Sequence, residues 1–387
     1  MNYDVIVVGA GITGAATAYY LKMAGLDRVL LVERETPAAG GTGKSAAIVR
    51  QHYSNPLASR LTKDSIQILR DMPDTLGASG GFVQSGWRML VPENMLASAR
   101  ENVKMQQSIG IATEMKEGQE ATNDLPWLNA DGVAAVVYEP DGGYADPVLA
   151  TEAFVSAFSR AGGTFLPRTT VVKLLGTSSA VMGVETAKGP IHAGAVVNAA
   201  GPWAAPLSAS IGIDMPMRVV REQDTVWEAR GGRPLPDGSL SNAVDAIYLR
   251  PLGENRFIVG RGFPKEYFDV DPNAYEQDAD ESFVQDVYTR LVHRIPPMQG
   301  ARRIDAYAAL YDVTPDWYPF VGPRTGVQGY CDACGGSGHG FKLAPAIGHD
   351  LAGWIVTGSA PADFHQLSHD RLAAGKLFVQ KYGGNRG

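Results

Sequence analysis

Residues 3–14 of the chain read YDVIVVGAGITG. The apolar, β-branched run before Gly9 predicts a strand that is buried on both faces of a parallel sheet. Apolar residues then recur at helical spacing over Ile12–Met23, and Val29–Val32 predicts a second buried strand that ends at Glu33. The segment therefore predicts a strand-helix-strand unit and, with it, an α/β fold.

The turn of this unit has the pattern G-x-G-x-x-G, formed by Gly9, Gly11 and Gly14. In dinucleotide-binding folds the first glycine permits a tight turn, the second lets the pyrophosphate approach the backbone, and the third permits close packing of helix and strand. Glu33 lies 19 residues after Gly14, where a carboxylate can accept hydrogen bonds from a ribose. A glycine-rich turn without a ligand would explain Glu33 only by coincidence, so we predict a dinucleotide site. Its other predicted contacts in this segment are Ile12, Thr13 and Arg34.

The composition argues against several other classes of protein. The formal net charge is −7 and no run of lysine and arginine occurs, so a nucleic-acid partner is not expected. No uninterrupted apolar stretch reaches the ~18 residues of a membrane span, and the start does not resemble a signal peptide, so we expect a cytoplasmic protein. Cys331 and Cys334 have the spacing of a redox pair or of half a zinc site. Because further ligands are lacking, we expect no metal site and interpret both as small residues beside a turn.

Two glycine-rich segments further along the chain predict contacts with a ligand. Residues 40–47 are too polar for a core strand and too long for a tight turn, so we interpret them as a loop over a ligand. Residues 335–340 precede a helix predicted at 341–356, and a glycine cluster at the start of a helix can present backbone amides to an anion. A further amphipathic helix is predicted at 282–295.

Three later segments indicate which dinucleotide to expect. Residues 196–203, VVNAAGPW, resemble the second flavin-contacting segment of the D-amino acid oxidase superfamily, which includes sarcosine and glycine oxidases. Residues 311–316, YDVTPD, and residues 338–342, GHGFK, are similar to that family in order and spacing. The resemblance extends from residue 1 to about residue 356, and it implies that the cofactor is FAD rather than NAD.

Within this family the chain is most similar to the sarcosine oxidase branch, especially its β-subunit type, through residues 40–53, GGTGKSAAIVRQHY. The resemblance implies that Arg50 and Lys342 hold the carboxylate of a substrate and that Tyr248 lines the substrate pocket. The alternative is that Arg50 is an ordinary surface arginine and Lys342 a structural residue of its motif. The resemblance also implies contacts with FAD at Thr42, Gly43, Lys44, Ser45, Ala46, Ala47, Val172, Ala199, Gly201, Trp203, Gly336, Gly338, His339, Gly340, Phe341 and Lys342.

Three positions depart from the pattern of monomeric sarcosine oxidases. The cysteine that attaches the flavin in those enzymes corresponds to Ala309, so attachment by that route is excluded and we expect non-covalent FAD. An arginine near the carboxylate-binding arginine corresponds to Ala47, and the lysine that activates oxygen corresponds to Ile258, so we expect slow reoxidation by oxygen. His52 is expected to be packed or solvent-facing, and His339 to bond near the flavin ring rather than to move a proton.

The predicted architecture is an FAD-binding, Rossmann-like domain of the GR2 type with an interleaved substrate domain of mixed or antiparallel sheet. Residues 1–80, 150–215 and 315–387 are assigned to the FAD-binding domain, and residues 81–149 and 216–314 to the substrate-binding domain.

The predicted reaction is oxidation of a C–N bond by hydride transfer to flavin N5, followed by hydrolysis of the imine. The expected substrate is a carboxylate-bearing amine: a sarcosine-like, proline-like or opine-like compound, or a D-amino acid. Three alternatives remain open at this point. They are an electron-transferring subunit of a hetero-oligomeric amine dehydrogenase, a flavin-binding protein without turnover, and an oxidase of a 2-hydroxy acid. Under any of these functions, the protein could act with a partner subunit or as a homo-oligomer.

Overall fold

The computed structural model describes residues 3–253, 255–361, 363–379 and 381–382. The first two and last five residues of the predicted FAD-binding domain therefore lie outside the described part of the chain. The helices are α1 Ile12–Met23, α2 Pro56–Leu76, α3 Leu96–Ser108, α4 Pro147–Arg160, α5 Ala204–Ala209, α6 Glu281–Arg294, α7 Gly340–Thr357 and α8 Asp370–Ala373. The strands are β1 Tyr3–Val8, β2 Val29–Val32, β3 Ile48–Val49, β4 Trp87–Val91, β5 Glu114–Glu117, β6 Ala135–Glu139, β7 Gly143–Tyr144, β8 Thr164–Leu166, β9 Val171–Thr177, β10 Ala180–Thr186, β11 Gly189–Asn198, β12 Arg218–Glu228, β13 Ser239–Asn242, β14 Ile247–Pro251, β15 Arg256–Arg261, β16 Arg302–Val313, β17 Phe320–Pro323 and β18 Tyr330–Cys334.

Strand β1 lies inside a sheet of order β17-β18-β11-β1-β2-β8, to which β10 and β9 are joined through β11. It pairs in parallel with β2 on one side and with β11 on the other. Val5 and Val7 pack into the core formed with α1, α4 and α7, whereas Ile6 and Val8 pack into a core on the opposite face. Because both faces of β1 are buried, the strand requires an uninterrupted apolar run. The predicted strand-helix-strand unit is confirmed.

Helix α7 follows the C-terminal glycine cluster, as predicted, and packs against α1. Gly348 lies where the two helices meet. A Cβ atom on Gly348 would lie 2.6 Å from the Cβ atom of Ala16 and 2.7 Å from the backbone nitrogen of Thr17. The two helices can therefore approach each other this closely only because residue 348 has no side chain.

The second sheet has the order β16-β12-β15-β14-β13-β4-β6-β5 and is antiparallel except between β13 and β4. One face packs on α6, where Trp227, Phe257 and Val259 join a core with Val287 and Leu291. This helix confirms the amphipathic helix predicted from the sequence. The opposite face of the sheet carries polar side chains and forms part of the cavity described below.

The two sheets are built from alternating stretches of the chain. Among the described residues, the first sheet takes its strands from 3–32, 164–198 and 320–334, and the second from 87–139 and 218–313. The chain therefore passes between the sheets four times over this range. The predicted fold class, an α/β fold with an interleaved second sheet, is confirmed.

Two classes of feature are missing from the described residues. None of their helices is both long enough and apolar enough to cross a membrane. They also contain no group of three or more histidine, cysteine, aspartate or glutamate side chains that could hold a metal ion. Cys331 and Cys334 are buried free thiols in β18. Because they are three positions apart on one strand, their side chains point to opposite faces of the sheet. This arrangement does not support a redox pair.

The contact between α1 and α7 makes a testable prediction about stability. Gly348→Ala should lower the free energy of unfolding by about 1–3 kcal/mol, because the added methyl group forces the helices apart. Gly353 in the same helix provides the matched control, since a Cβ atom there meets no neighbouring atom within 4 Å. Gly353→Ala should be neutral or stabilising by about 0.5–1 kcal/mol. Denaturant unfolding of both variants measures the difference, and equal effects would contradict the prediction.

Candidate cofactor and substrate site

A cavity of about 670 Å³ lies beside the carboxyl ends of β1, β2 and β11. In open α/β sheets, ligands bind at this edge of the strands. The wall is formed by the turn before α1, residues of the 33–50 segment, residues 199–203, the polar face of the second sheet and the start of α7. The volume falls within the ~300–1,000 Å³ common for ligand and cofactor pockets.

The glycines of the first turn hold three backbone segments together. Gly9 has a φ angle of +101°, in the region that favours glycine, and a Cβ atom on it would lie 2.5 Å from the carbonyl oxygen of Ala199. A Cβ atom on Gly14 would overlap the carbonyl oxygen of Gly9. Gly14 therefore lies behind the cavity wall rather than in it, where it lets α1 pack against the end of β1.

The N-terminus of α1 faces the cavity through Gly11, Ile12 and Thr13. Gly11 is the N-cap residue and contributes no capping side chain, while the Ile12 amide donates to Thr42 Oγ1 at 3.2 Å. Free amides at a helix N-terminus, together with the helix dipole, favour an anion. This end of the cavity therefore suits the phosphates of a dinucleotide.

Glu33 and Arg34 form the end of the cavity beyond β2. The Glu33 carboxylate accepts hydrogen bonds from the backbone amides of Ala10 and Glu35, each at 2.8 Å. The Arg34 guanidinium lies 3.9 Å from the ring centre of Trp203, a cation–π contact that joins two predicted FAD-contacting segments. Glu33 and Trp203 both line this end of the cavity, where a ribose and its base could contact them.

The 40–47 loop lines the cavity as predicted, but one of its side chains has a different use. The Lys44 ammonium donates to Tyr275 Oη at 3.1 Å, to Gln277 Oε1 at 3.0 Å and to the carbonyl oxygen of Ala308 at 2.9 Å. Lys44 therefore connects the loop to strand β16 of the second sheet and to the segment that precedes α6. Gly43 does not line the cavity, because it packs so closely on the carbonyl oxygen of Ala38 that a Cβ atom would lie 2.5 Å away.

Arg50 and Lys342 both line the cavity, and neither forms an ion pair with any described carboxylate. The Arg50 guanidinium donates to the carbonyl oxygen of His52 and lies 4.9 Å from the ring centre of Tyr53. Lys342 is 8% exposed, and its burial together with the charge of Arg50 holds its pKa well below the usual range. Two basic side chains that face a cavity without an anionic partner are suited to bind a carboxylate, whose negative charge would in turn favour the protonated form of Lys342.

A buried carboxylate behind Arg50 was not found by sequence reasoning. Glu139 is fully buried and accepts hydrogen bonds from the Gln51 amide and from Gln106 Nε2, each at 2.7 Å. Burial raises its pKa to about 7. His52 is also packed, as expected, with its Nε2 atom 2.7 Å from Tyr382 Oη, and burial lowers its pKa to about 3. His52 is therefore neutral and suited to hold the Arg50 segment rather than to transfer protons.

Tyr248 lines the cavity, and its hydroxyl group donates to Asp224 Oδ1 at 2.8 Å. Asp224 and its neighbour Glu222 also line the cavity, and both were missed in the sequence. The pKa of Asp224 is raised to about 7, mainly by burial and in part by the charge of the nearby Glu222. Lys265 is paired with Glu222. The signal that could have found them is the spacing of Glu222 and Asp224 within a strand, which places both on one face.

His339 is not part of the cavity wall. It is buried behind it, with Nδ1 3.2 Å from Tyr53 Oη and Nε2 2.5 Å from the carbonyl oxygen of Trp317. Burial lowers its pKa to about 3, so it is neutral. The contact of His339 with FAD stays a prediction; its ring bonds to Tyr53, which also lies beneath Arg50.

Of the three positions that depart from the sarcosine oxidase pattern, two line the cavity and one is buried in the second sheet. Ala309 lines the cavity, in register with Glu222 on the neighbouring strand. Ala47 also lines it and has a φ angle of +50°, a conformation that a bulky side chain would strain further. Ile258 is buried in the second sheet in register with Arg250.

The remaining predicted site residues are brought together by the fold. Apart from Gly14, Gly43 and His339, every predicted site residue lines this one cavity. They are Gly9, Gly11, Ile12, Thr13, Glu33, Arg34, Thr42, Lys44, Ser45, Ala46, Ala47, Arg50, Val172, Ala199, Gly201, Trp203, Tyr248, Gly336, Gly338, Gly340, Phe341 and Lys342.

The fold and the cavity together define a dinucleotide-dependent oxidoreductase, because a βαβ turn with helix amides at one end meets a wall of charged side chains at the other. The chain belongs to the DAO family of FAD dependent oxidoreductases, whose family model matches residues 4–354. The family inferred from sequence resemblance is thereby confirmed, as is FAD as the cofactor of this enzyme.

Known relatives cover nearly the whole chain. It is 29% identical to FAD-dependent oxidoreductase domain-containing protein 1 of Bos taurus, over 92% of this chain and 81% of that protein. It is 27% identical to mitochondrial dimethylglycine dehydrogenase of Homo sapiens, over 98% of this chain but 45% of that protein. The chain thus spans about half the length of the dimethylglycine dehydrogenase. Among solved structures, L-proline dehydrogenase from P. horikoshii superposes with a TM-score of 0.89 at 27% identity, covering 97% of this chain and 99% of that one.

Proposed function

We propose that this enzyme oxidises the C–N bond of an amino acid or N-substituted amino acid whose carboxylate is held by Arg50 and Lys342. The observation that carries the proposal is the pair of cations that line the cavity without an ion-pair partner among the described carboxylates. The proposal is also supported by relatives whose names identify them as L-proline and dimethylglycine dehydrogenases.

The first sheet is proposed to belong to the FAD-binding domain at 1–80, 150–215 and 315–387, and the second to the substrate-binding domain at 81–149 and 216–314. The residues at the N-terminus of α1 fit the phosphates of FAD, since they offer helix amides and no competing side chain. When bound, FAD supplies the acceptor for the hydride, and the protein supplies orientation and electrostatics.

Arg50 and Lys342, which together we call the carboxylate clamp, are proposed to orient the substrate. Arginine presents a planar fork of donors that matches a carboxylate, and Lys342 adds a second charge from the start of α7. Tyr53 and Trp87 lie beside the Arg50 guanidinium and are fully or nearly fully buried, which restricts its movement. A fixed carboxylate fixes the α-carbon, and such positioning accounts for much of the barrier reduction in a transfer reaction.

A cytoplasmic location and a partner subunit or homo-oligomer remain predictions from the sequence. Size-exclusion chromatography of the purified enzyme, with identification of any chain that co-elutes, tests the second of these. It also separates a self-sufficient enzyme from one subunit of a hetero-oligomeric dehydrogenase.

The first prediction for this site concerns attachment of the cofactor. Ala309 stands where related oxidases carry the attaching cysteine, so FAD should be held without a covalent bond. Acid precipitation of the yellow protein should release the flavin into the supernatant, as measured by its absorbance. Flavin that stays with the pellet would show another point of attachment.

The second prediction concerns the electron acceptor. Ile258 cannot supply the positive charge that stabilises developing superoxide beside a flavin. Turnover should therefore be faster with an artificial dye or quinone than with oxygen. Steady-state rates with both acceptors measure this. Comparable rates would refute it, as would another lysine or arginine within reach of flavin N5.

The third prediction concerns the clamp. Arg50→Ala should cost about 2 to 5 kcal/mol of transition-state stabilisation, which is roughly 30-fold to several-thousand-fold in kcat/KM. Arg50→Lys should restore part of the loss, because a point charge cannot reproduce bidentate geometry. Arg100→Ala, which removes an exposed arginine paired with Glu117 on the surface, is the control and should leave the kinetics unchanged.

Anaerobic flavin reduction by an amino acid and by its decarboxylated amine completes this test. The wild-type enzyme should strongly prefer the amino acid. Equal rates with both compounds, or unchanged kinetics in Arg50→Ala with FAD still bound, would make Arg50 a structural arginine only.

A further inference from the structure

Two acidic side chains on strand β12 face the cavity from a wall that the carboxylate clamp does not use. Glu222 and Asp224 are 4% and 5% exposed, and both line the cavity. Because they are two residues apart on one strand, their side chains lie on the same face of the sheet. Burial of two like charges this close is unfavourable unless cations or hydrogen-bond donors meet them.

A glycine fixes the orientation of Asp224. Asp224, Gly260 and Tyr248 are register partners on the neighbouring strands β12, β15 and β14. A Cβ atom on Gly260 would overlap both Asp224 Oδ1 and Tyr248 Oη. The missing side chain therefore provides the space through which the tyrosine hydroxyl reaches across β15 to donate to Asp224 Oδ1 at 2.8 Å.

Each of the two carboxylates has one oxygen without a donor. Glu222 Oε1 is paired with Lys265, whereas Glu222 Oε2 is buried and receives no hydrogen bond from the described residues. Asp224 Oδ1 is bonded to Tyr248, and no described residue donates to Asp224 Oδ2. An acceptor without a donor is costly, and because Asp224 lines the cavity, a donor from a bound molecule can meet its Oδ2 atom.

The acidic wall and the carboxylate clamp belong to one cavity. Tyr311 of β16 lines it, and its ring lies against Gly338, four residues before Lys342. The wall of this cavity thus carries basic side chains at Arg50 and Lys342 and carboxylates on β12.

We propose that Asp224, assisted by Glu222, binds the protonated nitrogen of the substrate and accepts its proton before oxidation. This assignment rests on the proposed function. It applies to amino acids whose protonated nitrogen has an N–H bond to direct at the free oxygen of Asp224. Tyr248 is the positioning residue that holds Asp224.

The proton transfer has a clear chemical purpose. Amino groups are mostly protonated at neutral pH, and a protonated nitrogen has no lone pair to form a C=N bond as hydride leaves. In the transfer, one N–H bond of the ammonium breaks and an O–H bond forms at Asp224 Oδ2. The electron pair stays on nitrogen, the ammonium becomes a neutral amine, and the carboxylate becomes a carboxylic acid.

The surroundings of Asp224 suit this role. The charged and titratable groups around it are Glu222 on its own strand, Lys265 after β15, Tyr248 and Arg250 on β14, and Tyr307 and Tyr311 on β16. Burial raises the pKa of Asp224 to about 7, while hydrogen bonding to Tyr248 lowers it. Because only the ionised carboxylate accepts the proton, kcat/KM should rise as pH rises through about 7.

The experiment uses the FAD-loaded enzyme and two probes of nearly the same shape. Sarcosine carries the ammonium group, and methoxyacetate replaces it with an ether oxygen but keeps the carboxylate. Binding is followed by perturbation of the flavin spectrum, and reduction by anaerobic bleaching across the neutral pH range. The variants are Asp224→Asn and Tyr248→Phe, with Asp305→Asn, an exposed aspartate of the same sheet, as the matched control.

In Asp224→Asn, affinity for sarcosine should fall about 10- to 100-fold, whereas affinity for methoxyacetate should stay within about threefold or increase. The rise of kcat/KM near pH 7 should disappear. In Tyr248→Phe the rise should move to higher pH, because the hydrogen bond that lowers the pKa of Asp224 is lost. This second variant keeps the test valid if Asp224→Asn does not fold.

Three results would overturn the assignment. Unchanged affinity for sarcosine and an unchanged pH profile in both variants would remove Asp224 from the reaction. Equal losses for sarcosine and methoxyacetate would make it a structural residue of the wall. Wild-type flavin that no primary or secondary amino acid bleaches would overturn the proposed function itself, and the assignment with it; the first two results leave the proposed function intact.

Discussion

The site depends on the close approach of three backbone segments at the end of β1. The carbonyl oxygen of Gly9 occupies the space that a Cβ atom on Gly14 would need, and the carbonyl oxygen of Ala199 occupies the space beside Gly9. This contact sets the distance between α1, β1 and the segment that follows β11. Because interiors are close-packed, a shift of one methyl group here would be transmitted to the helix amides that face the cavity. The geometry of the cofactor end is therefore a consequence of main-chain packing rather than of any single side chain.

The features that could be predicted from the sequence are those with local causes. The strand-helix-strand unit follows from the periodicity of residues 3–32 and from glycines whose spacing has a steric reason. Helices α6 and α7 follow from amphipathic spacing and from a glycine cluster. The clamp residues Arg50 and Lys342 came from resemblance to a family, and the fold brings them to one cavity although 292 positions separate them in the chain.

The features that could not be predicted depend on contacts across the sheet. Glu222 and Asp224 lie in a strand of 11 residues, and only its pairing with β15 brings Gly260 opposite Asp224 and Tyr248 within reach of it. Likewise, nothing in the sequence near His339 shows that its ring bonds to Tyr53, which lies 286 positions away. Lys44 was assigned to the cofactor because of its loop, but its ammonium is used by acceptors more than 230 positions away.

The alternation of the chain between two sheets has a consequence for its synthesis. Strand β11 ends at Asn198, yet its parallel neighbour β18 begins only at Tyr330. Helix α7, which covers α1, comes later still. During synthesis, the sheet that contains β1 cannot be completed until residues 330–334 have been made, and its apolar surfaces stay exposed until then. Such non-local pairing slows folding and exposes nascent chains to aggregation. The order of the strands thus makes completion of this sheet a late event in folding.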